Sequence, residues 1–373
     1  MKNHNSIFIS LGSNLGDRLN NLQKAVALIR NSGVEVEQFS SIYETPAWGF
    51  ESTPFYNACA RIKTTHSPSE LLRLLLRIET QLGRSRETEV RYSARTIDLD
   101  LLFYGDSVFS DSALILPHPR LHLRNFVLAP LREIASDFIH PVLKKNVDNL
   151  LKETPDRSHW EKLSIDQWSP PIFRVFPFIA IEGNIGVGKT TLAQKIGTFF
   201  KADTLKEVFT NNPHLEAFYQ NPQKHALAVE TFFLNDRLEK GNDFWKKKRV
   251  RVVSDYTLNK SLVFAKQNLE KTDFKTYQSV FKRSILDQKQ PDLLVYLHAE
   301  IPHLQTQIKK RARSFEVGIK DDYLKNIEKG YQELLQSELP FPVCSLDVSR
   351  LDFERDEKAF QQILWTIYQT SFL

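Results

Sequence analysis

Short apolar runs rich in β-branched and aromatic residues alternate along the chain with longer stretches in which apolar positions recur every three or four residues. These are the spacings of strands and of amphipathic helices. The first run, Ser6–Gly12, predicts a strand. Asp17 stands where a helix cap is wanted, and Leu19, Leu22, Val26 and Ile29 share one face of a helix running to about Arg30. Gly33 follows at the expected stop. Strand patterns return over Val34–Tyr43 and Tyr56–Lys63. Ser67-Pro68-Ser69-Glu70 is a capping box with proline at the first helical position. The stripe Leu71, Leu74, Leu75, Ile78 and Leu82 then ends near Gly83, and another strand covers Thr96–Tyr104. This half predicts an α/β sandwich, with helices laid on a sheet.

The pattern breaks between about Pro155 and Pro171, where the stretch is polar, bounded by prolines and without sustained period. Its tryptophans are free to dock on a neighbouring domain. Beyond it, the strand Phe178–Ile181 opens a second alternation, with strands at Val250–Ser254, Leu293–His298 and Val343–Val348 and helical patterns between. Strands alternating with helices predict a parallel sheet flanked by helices. The reading is a domain over residues 1–154, a linker over 155–172 and a domain over 173–373. A length of 373 residues suits two domains.

Composition adds little. The net charge of +5, from 50 basic and 45 acidic residues, suits anionic small substrates and equally a solvated basic surface. No basic stripe with interleaved aromatics appears, so a nucleic-acid partner is not expected. Cys59 and Cys344 lie in different halves, which allows no disulfide framework or metal spacing and predicts buried free thiols in a reducing compartment. The N-terminus has no signal pattern, and no apolar run reaches the ~18 residues of a membrane span. A soluble, cytoplasmic protein without a membrane partner is expected.

Gly183-Asn184-Ile185-Gly186-Val187-Gly188-Lys189-Thr190 fits G-x-x-x-x-G-K-[ST], follows a strand and opens a helix. Glycines let backbone N–H groups turn around phosphate oxygens, and the helix N-terminus adds positive charge. Lys189 would neutralise the β- and γ-phosphates and Thr190 would ligate Mg²⁺. With the adjoining Thr191, these residues are the candidate ATP site.

Lys206-Glu207-Val208, the stretch from Asn211 to Lys240, and IKKRARSFE before DDYLKNIEKGYQEL resemble the deoxynucleoside kinases over most of residues 173–373. The resemblance implies Glu207 as general base on a 5′-hydroxyl, Tyr219 and Glu316 on the sugar 3′-hydroxyl, and Arg311 and Arg313 as a lid over the phosphates. It also implies a homodimer formed through helices. Taken alone, Glu207 equally reads as an exposed strand-end carboxylate, and the two arginines as a solvated helix end. The sequence departs from the family at three places. The arginine of an Asp/Glu-Arg-Ser motif is Tyr256 in Asp255-Tyr256-Thr257, the base-reading glutamine is Glu230, and its partner aspartate falls on Ser261. Hence the second domain either takes an unusual substrate or is a non-catalytic binding or dimerisation module, or a kinase for another small alcohol. An ionised Glu230 only accepts hydrogen bonds, which suits the adjacent donors of a guanine-like ring. A Glu230 turned toward a neighbouring lysine or arginine is the alternative.

In the first half, the strand Arg95–Leu102 places Asp98 and Asp100 side by side on one face, with Ile97, Leu99, Leu101 and Phe103 on the other. Paired carboxylates suit Mg²⁺ beside substrate phosphates, although D-x-D alone equally fits a solvated strand. Arg84, Arg86, Arg91, Arg95, His118, Arg120 and Arg124 surround the pair in sequence, as a triphosphate site requires. IFISLGSNLGDR, SSIYETPAWG, FYNA, IETQLGR, RTIDLDLLFYG and LPHPRLHLRNFVLAPL together resemble hydroxymethyldihydropterin pyrophosphokinase over roughly residues 5–150. The resemblance implies a ferredoxin-like fold and pyrophosphate transfer from ATP to a pterin alcohol in folate synthesis, releasing AMP. It places two Mg²⁺ ions on Asp98 and Asp100, and assigns a pterin pocket to Thr45, Pro46, Phe55, Asn57 and Phe126. ATP or phosphate contacts fall to Glu79, Arg84, Arg95, His118 and Arg124. Tyr92 stands in the loop between Arg84 and Arg95 where that family often has tryptophan.

Overall fold

The structure is a computed structural model that describes residues 6–84, 93–163, 168–208, 212–313, 316 and 318–372. Arg86, Arg91 and Tyr92 lie outside the described residues. The chain forms two compact units, dividing between Pro170 and Pro171.

The first unit contains β1 (Ile7–Ser13), α1 (Arg18–Asn31), β2 (Glu35–Phe39), β3 (Tyr43–Thr45), β4 (Phe55–Lys63), α2 (Pro68–Gln81) and β5 (Asp98–Tyr104). A two-stranded ribbon of β6 (Phe109–Ser110) and β7 (Ile115–Leu116) follows, then α3 (Asn125–Ala135), α4 (Val147–Glu153) and β8 (Glu161–Lys162). The main sheet runs β5-β1-β4-β3-β8, with β2 also on β4, and its pairs are antiparallel. α1 packs on β1 and α2 on β5, while α3 packs on β4 and α4. Asp17 caps α1 through Asn20 N–H at 3.1 Å, and the Ser67–Glu70 capping box starts α2. Central strand β1 sets the site. Its Gly12 pairs with Asn57 on one side and Asp98 on the other. A Cβ at Gly12 would meet Asn57 Oδ1 at 2.9 Å, so the missing side chain lets the two flanking groups approach.

Two expectations change here. The strand read over Val34–Tyr43 is two strands, because the chain breaks at the buried Ser40 and Ser41, whose hydroxyls bond backbone and Glu133. The stretch read as a linker over 155–172 largely joins the first unit. Glu161–Lys162 extends the sheet edge beside β3. The Trp160 ring packs against Tyr43 at 5.2 Å, and Trp168 stacks on Phe39 at 4.5 Å and donates to Ser40 C=O at 2.7 Å. Two large indoles offer more apolar area than an exposed linker keeps in water.

The second unit contains α5 (Ile172–Val175), β9 (Phe178–Gly183), α6 (Lys189–Phe200), β10 (Asp203–Leu205), α7 (Leu215–Gln220), α8 (Pro222–Trp245) and β11 (Val252–Ser254). It continues with α9 (Lys260–Asn268), α10 (Lys271–Ser284), β12 (Leu293–His298), α11 (Ile301–Arg311), α12 (Asp321–Leu335), β13 (Val343–Asp347) and α13 (Glu357–Gln369). The sheet is parallel, in the order β10-β11-β9-β12-β13. β9 is buried at every position, as a strand covered on both faces must be. The chain moves outward to opposite sides of β9, so the crevice at its carboxyl end is a topological switch point, where such sheets bind ligands. β10, too short to show a period in the sequence, completes the edge. Both cysteines are buried free thiols. No described helix is long and apolar enough to cross a membrane.

Candidate active sites

In the first unit a cavity of about 260 Å³ is lined by Thr45, Pro46, Trp48, Phe50, Phe55, Asn57, Arg84, Arg95, Asp98, Asp100, His118, Arg120, Arg124 and Phe126. Strand alternation on β5 turns Asp98 and Asp100 into it, while Leu99 and Leu101 are buried. Arg84 ion-pairs with Asp98, and Arg95 Nη1 reaches it at 3.2 Å. Burial pushes the Asp98 carboxyl up, but Arg95 and Arg84 outweigh it and hold it below the usual range. Asp100 has weaker company, with Arg124 Nη1 at 3.6 Å and His118 Nε2 at 4.0 Å. Burial and the neighbouring Asp98 push it up to about 7. Two carboxylates that cannot both hold a charge cheaply are a place where a divalent cation relieves repulsion. Burial and the cations of Arg124 and Arg120 push His118 down to about 4, so it faces the site as a neutral imidazole.

All five residues read as a pterin pocket line this cavity. Asn57 Nδ2 donates to Thr45 Oγ1 at 2.8 Å, which fixes the amide at the end of β4. Glu79 is placed differently from its reading as an ATP contact. It is 1% exposed and absent from the cavity wall. Its Oε1 accepts from Arg84 Nη1 at 2.6 Å and from Leu99 N–H at 2.8 Å, so it aims Arg84 at Asp98 and braces β5. Trp48, read only as part of a motif, and Phe50, which the sequence reading missed, join the aromatic wall, where Arg124 lies 6.0 Å from the Trp48 ring and 5.5 Å from that of Phe126.

The second unit holds a cavity of about 350 Å³ at the switch point. Gly186, Gly188, Lys189, Thr190 and Thr191 form one end of it. Gly183 has φ +145°, and a Cβ there would sit 2.1 Å from Leu297 O. Only glycine lets the loop leave β9 this close to β12. Gly183 and Asn184 lie behind the wall. Asn184 is fully buried, donating to Leu324 C=O at 2.8 Å and accepting from Ile185 N–H at 2.8 Å, so its side chain shapes the loop. Lys189 Nζ donates to Gly183 and Asn184 carbonyls at 2.8 and 2.9 Å, and burial with the nearby Lys260 brings it down to about 7. The Thr190 hydroxyl donates to Asp255 Oδ2 at 2.5 Å, and Asp255 Oδ1 accepts from Glu207 N–H at 2.8 Å.

Glu207 is enclosed and not an exposed strand end. Its carboxylate is held by Arg237 and by Lys260. Burial raises its pKa, but the two cations prevail and keep it far below the ordinary range. Arg311 and Arg313 both reach Glu316, at 2.6 and 3.3 Å. The arginines read as a lid and the carboxylate read as a sugar ligand are therefore paired with one another, and all three line the cavity together with Tyr219. Glu230 is 2% exposed. Among the described residues no lysine or arginine side chain pairs with it; its Oε1 accepts from Asn268 Nδ2 at 2.7 Å, and Asn268 Oδ1 accepts from the Tyr323 hydroxyl at 3.1 Å. Oε2 of Glu230 is buried without a hydrogen-bond partner among the described residues. Burial pushes Glu230 up to about 7. Phe218, Phe233 and Phe264 supply flat apolar walls around it. Arg237, Lys260 and Asn268 escaped the sequence reading because charged helices such as α8 look the same whichever face is buried.

The deoxynucleoside kinase family model matches residues 179–372, and that of 7,8-dihydro-6-hydroxymethylpterin-pyrophosphokinase matches residues 8–136. The 2-amino-4-hydroxy-6-hydroxymethyldihydropteridine pyrophosphokinase of Bacillus subtilis is 48% identical over 133 residues, covering 35% of this chain and 78% of that protein. Its counterpart in Synechocystis sp. is 40% identical over 153 residues, covering 41% and 77%. Deoxyguanosine kinase of Bacillus subtilis is 33% identical over 194 residues, covering 50% and 94%. The chain thus belongs to the hydroxymethyldihydropterin pyrophosphokinase family through its first unit and to the deoxynucleoside kinase family through its second.

Proposed function

We propose that this is a bifunctional transferase, which passes pyrophosphate from ATP to 6-hydroxymethyl-7,8-dihydropterin at one site and phosphate from ATP to a deoxynucleoside 5′-hydroxyl at the other. The observation that carries the first activity is the Asp98–Asp100 pair ringed by Arg84, Arg95 and Arg124 beside an aromatic pocket. The pterin ring lies between Phe55 and Phe126, with Asn57 and Thr45 at its edge. Its hydroxymethyl oxygen attacks the β-phosphorus of ATP, and the bond from that phosphorus to the α-phosphate oxygen breaks to release AMP. The arginines offset charge on the transferred group, and neutral His118 can donate to it without adding charge. Mg²⁺ held by Asp98 and Asp100 would neutralise the triphosphate and align it.

At the second site the 5′-oxygen attacks the γ-phosphorus, ADP leaves, and Glu207 takes the hydroxyl proton. Lys189 and the lid arginines hold the phosphates, and Thr190 with Asp255 forms the corner where Mg²⁺ would sit. We place a guanine-like base against Glu230, because its ionised carboxylate offers two neighbouring acceptor oxygens, one of them without a partner among the described residues, to the N–H and NH₂ of a guanine edge. The protein acts in the cytoplasm, where both substrates and reduced thiols are kept, and pairs with a second copy through helices of its second unit.

AMP release from ATP and the pterin alcohol tests the first activity, with Asp100→Ala as control. If AMP forms equally in both proteins, the assignment of the carboxylate pair fails. Exchanging Glu230 for Gln tests the base assignment, and an unchanged preference among deoxynucleosides would remove it.

A further inference from the structure

The second unit has Tyr256 where the motif of the deoxynucleoside kinases that it resembles has an arginine. Tyr256 does not supply a substitute from the same position. Its side chain is 4% exposed, is absent from the wall of the 350 Å³ cavity and lines a separate recess with Phe178, Trp245 and Gln288. Four residues later, Lys260 opens α9 and does line that cavity.

The two cations on Glu207 are not equivalent. Arg237 grips Oε1 through Nε at 2.9 Å and Nη2 at 2.6 Å, and its Nη1 donates to Ser261 Oγ at 2.6 Å. A planar guanidinium with three hydrogen bonds is fixed in place. Ser261, where the family has an aspartate, supplies the acceptor for the third. Lys260 Nζ instead makes a single hydrogen bond among the described residues, to Glu207 Oε2 at 2.5 Å. Its stem lies against Phe264, with Nζ 5.5 Å from the ring. The ammonium is close enough to Lys189 to depress that amine's pKa. Lys260 thus lines the same cavity as Glu207 and the phosphate loop residues Gly186, Gly188 and Lys189, on a flexible stem.

We infer that Lys260 is the catalytic cation of the second site: it caps Glu207 Oε2 when no acceptor is bound, gives up that oxygen to the acceptor hydroxyl, and turns to the transferring phosphoryl group. Arg237 is the positioning residue that keeps Glu207 in place throughout. As the 5′-oxygen bonds to the γ-phosphorus and the bond to the β-phosphate oxygen breaks, the hydroxyl proton goes to Glu207 Oε2. ADP carries the bridging oxygen away, and the Lys260 ammonium offsets the charge spread over the phosphoryl oxygens. Charge lost at position 256 is thereby restored from position 260. The inference rests on the second site being a nucleoside kinase.

The test measures kcat and KM for deoxyguanosine and for ATP in the wild-type chain, Lys260→Met and Lys260→Arg. Methionine keeps the stem against Phe264 and removes the charge. Removing one such electrostatic donor typically costs about 100-fold or more in kcat. Lys260→Met is expected to lose about that in kcat, with KM for the nucleoside within about threefold, and Lys260→Arg to recover at least about tenfold over it. A Lys260→Met enzyme within about threefold of wild type in kcat, or one whose whole loss lies in KM, would overturn the role. Melting curves and AMP release at the first site verify each preparation, and Lys260→Gln replaces the methionine variant if that one melts without a cooperative transition. A wild-type chain with no nucleoside turnover would sink the kinase reading itself, and the inference with it.

Discussion

In the proposed function, Glu230 is the residue that sets the choice of base. With burial holding it near pH 7, it is largely protonated in the free site under mildly acidic conditions and ionised above. A guanine edge needs the ionised acceptor. An adenine edge, with an acceptor beside its NH₂, accepts the proton of the neutral form. The ratio of kcat/KM for deoxyguanosine over deoxyadenosine should therefore rise with pH between about 6 and about 8, approaching tenfold per unit on the acid side. In Glu230→Gln the ratio should be flat, and a wild-type ratio equally flat would show that Glu230 does not read the base. At the first site, replacing Asp98 or Asp100 by Ala should lower AMP release about 100-fold or more, since each removes a ligand that positions the triphosphate. Glu79→Gln tests the placement found for that residue. It keeps an oxygen for Leu99 N–H but no charge for Arg84, so activity should fall while the melting temperature stays nearly unchanged.

Among the elements, those with long or strict patterns were legible from the chain. The helix after the Ser67–Glu70 box, the alternation Leu99, Leu101 against Asp98, Asp100, and the strand–loop–helix around Gly183–Thr190 all carry local signals strong enough to stand alone. The break at Ser40–Ser41 did not show, because it depends on Glu133, which lies far along the chain. Docking of the tryptophans was open in the sequence, but the seat of Trp168 on Phe39 was not legible, since a polar, proline-bounded stretch has no period to read. Trp168→Ala should cost about 3 kcal/mol or more and lower the melting temperature of the first unit. Gly183→Ala forces a methyl onto Leu297 O and should abolish nucleoside phosphorylation or soluble expression. Full activity in that variant would mean the loop sits farther from β12. The ion pairs of Glu207 were invisible for another reason. Arg237 and Lys260 look in sequence like ordinary charged helix positions, and only folding turns them onto one carboxylate.

At the scale of the whole molecule, the two candidate active sites stand on separate compact units of one chain. Each unit has its own sheet and its own helices over that sheet. Lys189→Ala should consequently remove the second activity and leave the first. The departures at Tyr256, Glu230 and Ser261 make the second activity the central claim. The measurement that tests it most directly is incubation of the purified chain with Mg-ATP and each deoxynucleoside in turn, following ADP and 5′-monophosphate, with Lys189→Ala alongside. The account predicts phosphorylation that depends on Lys189 and is strongest with deoxyguanosine. No 5′-monophosphate from any nucleoside, in a preparation that still makes AMP from ATP and the pterin alcohol, would contradict it.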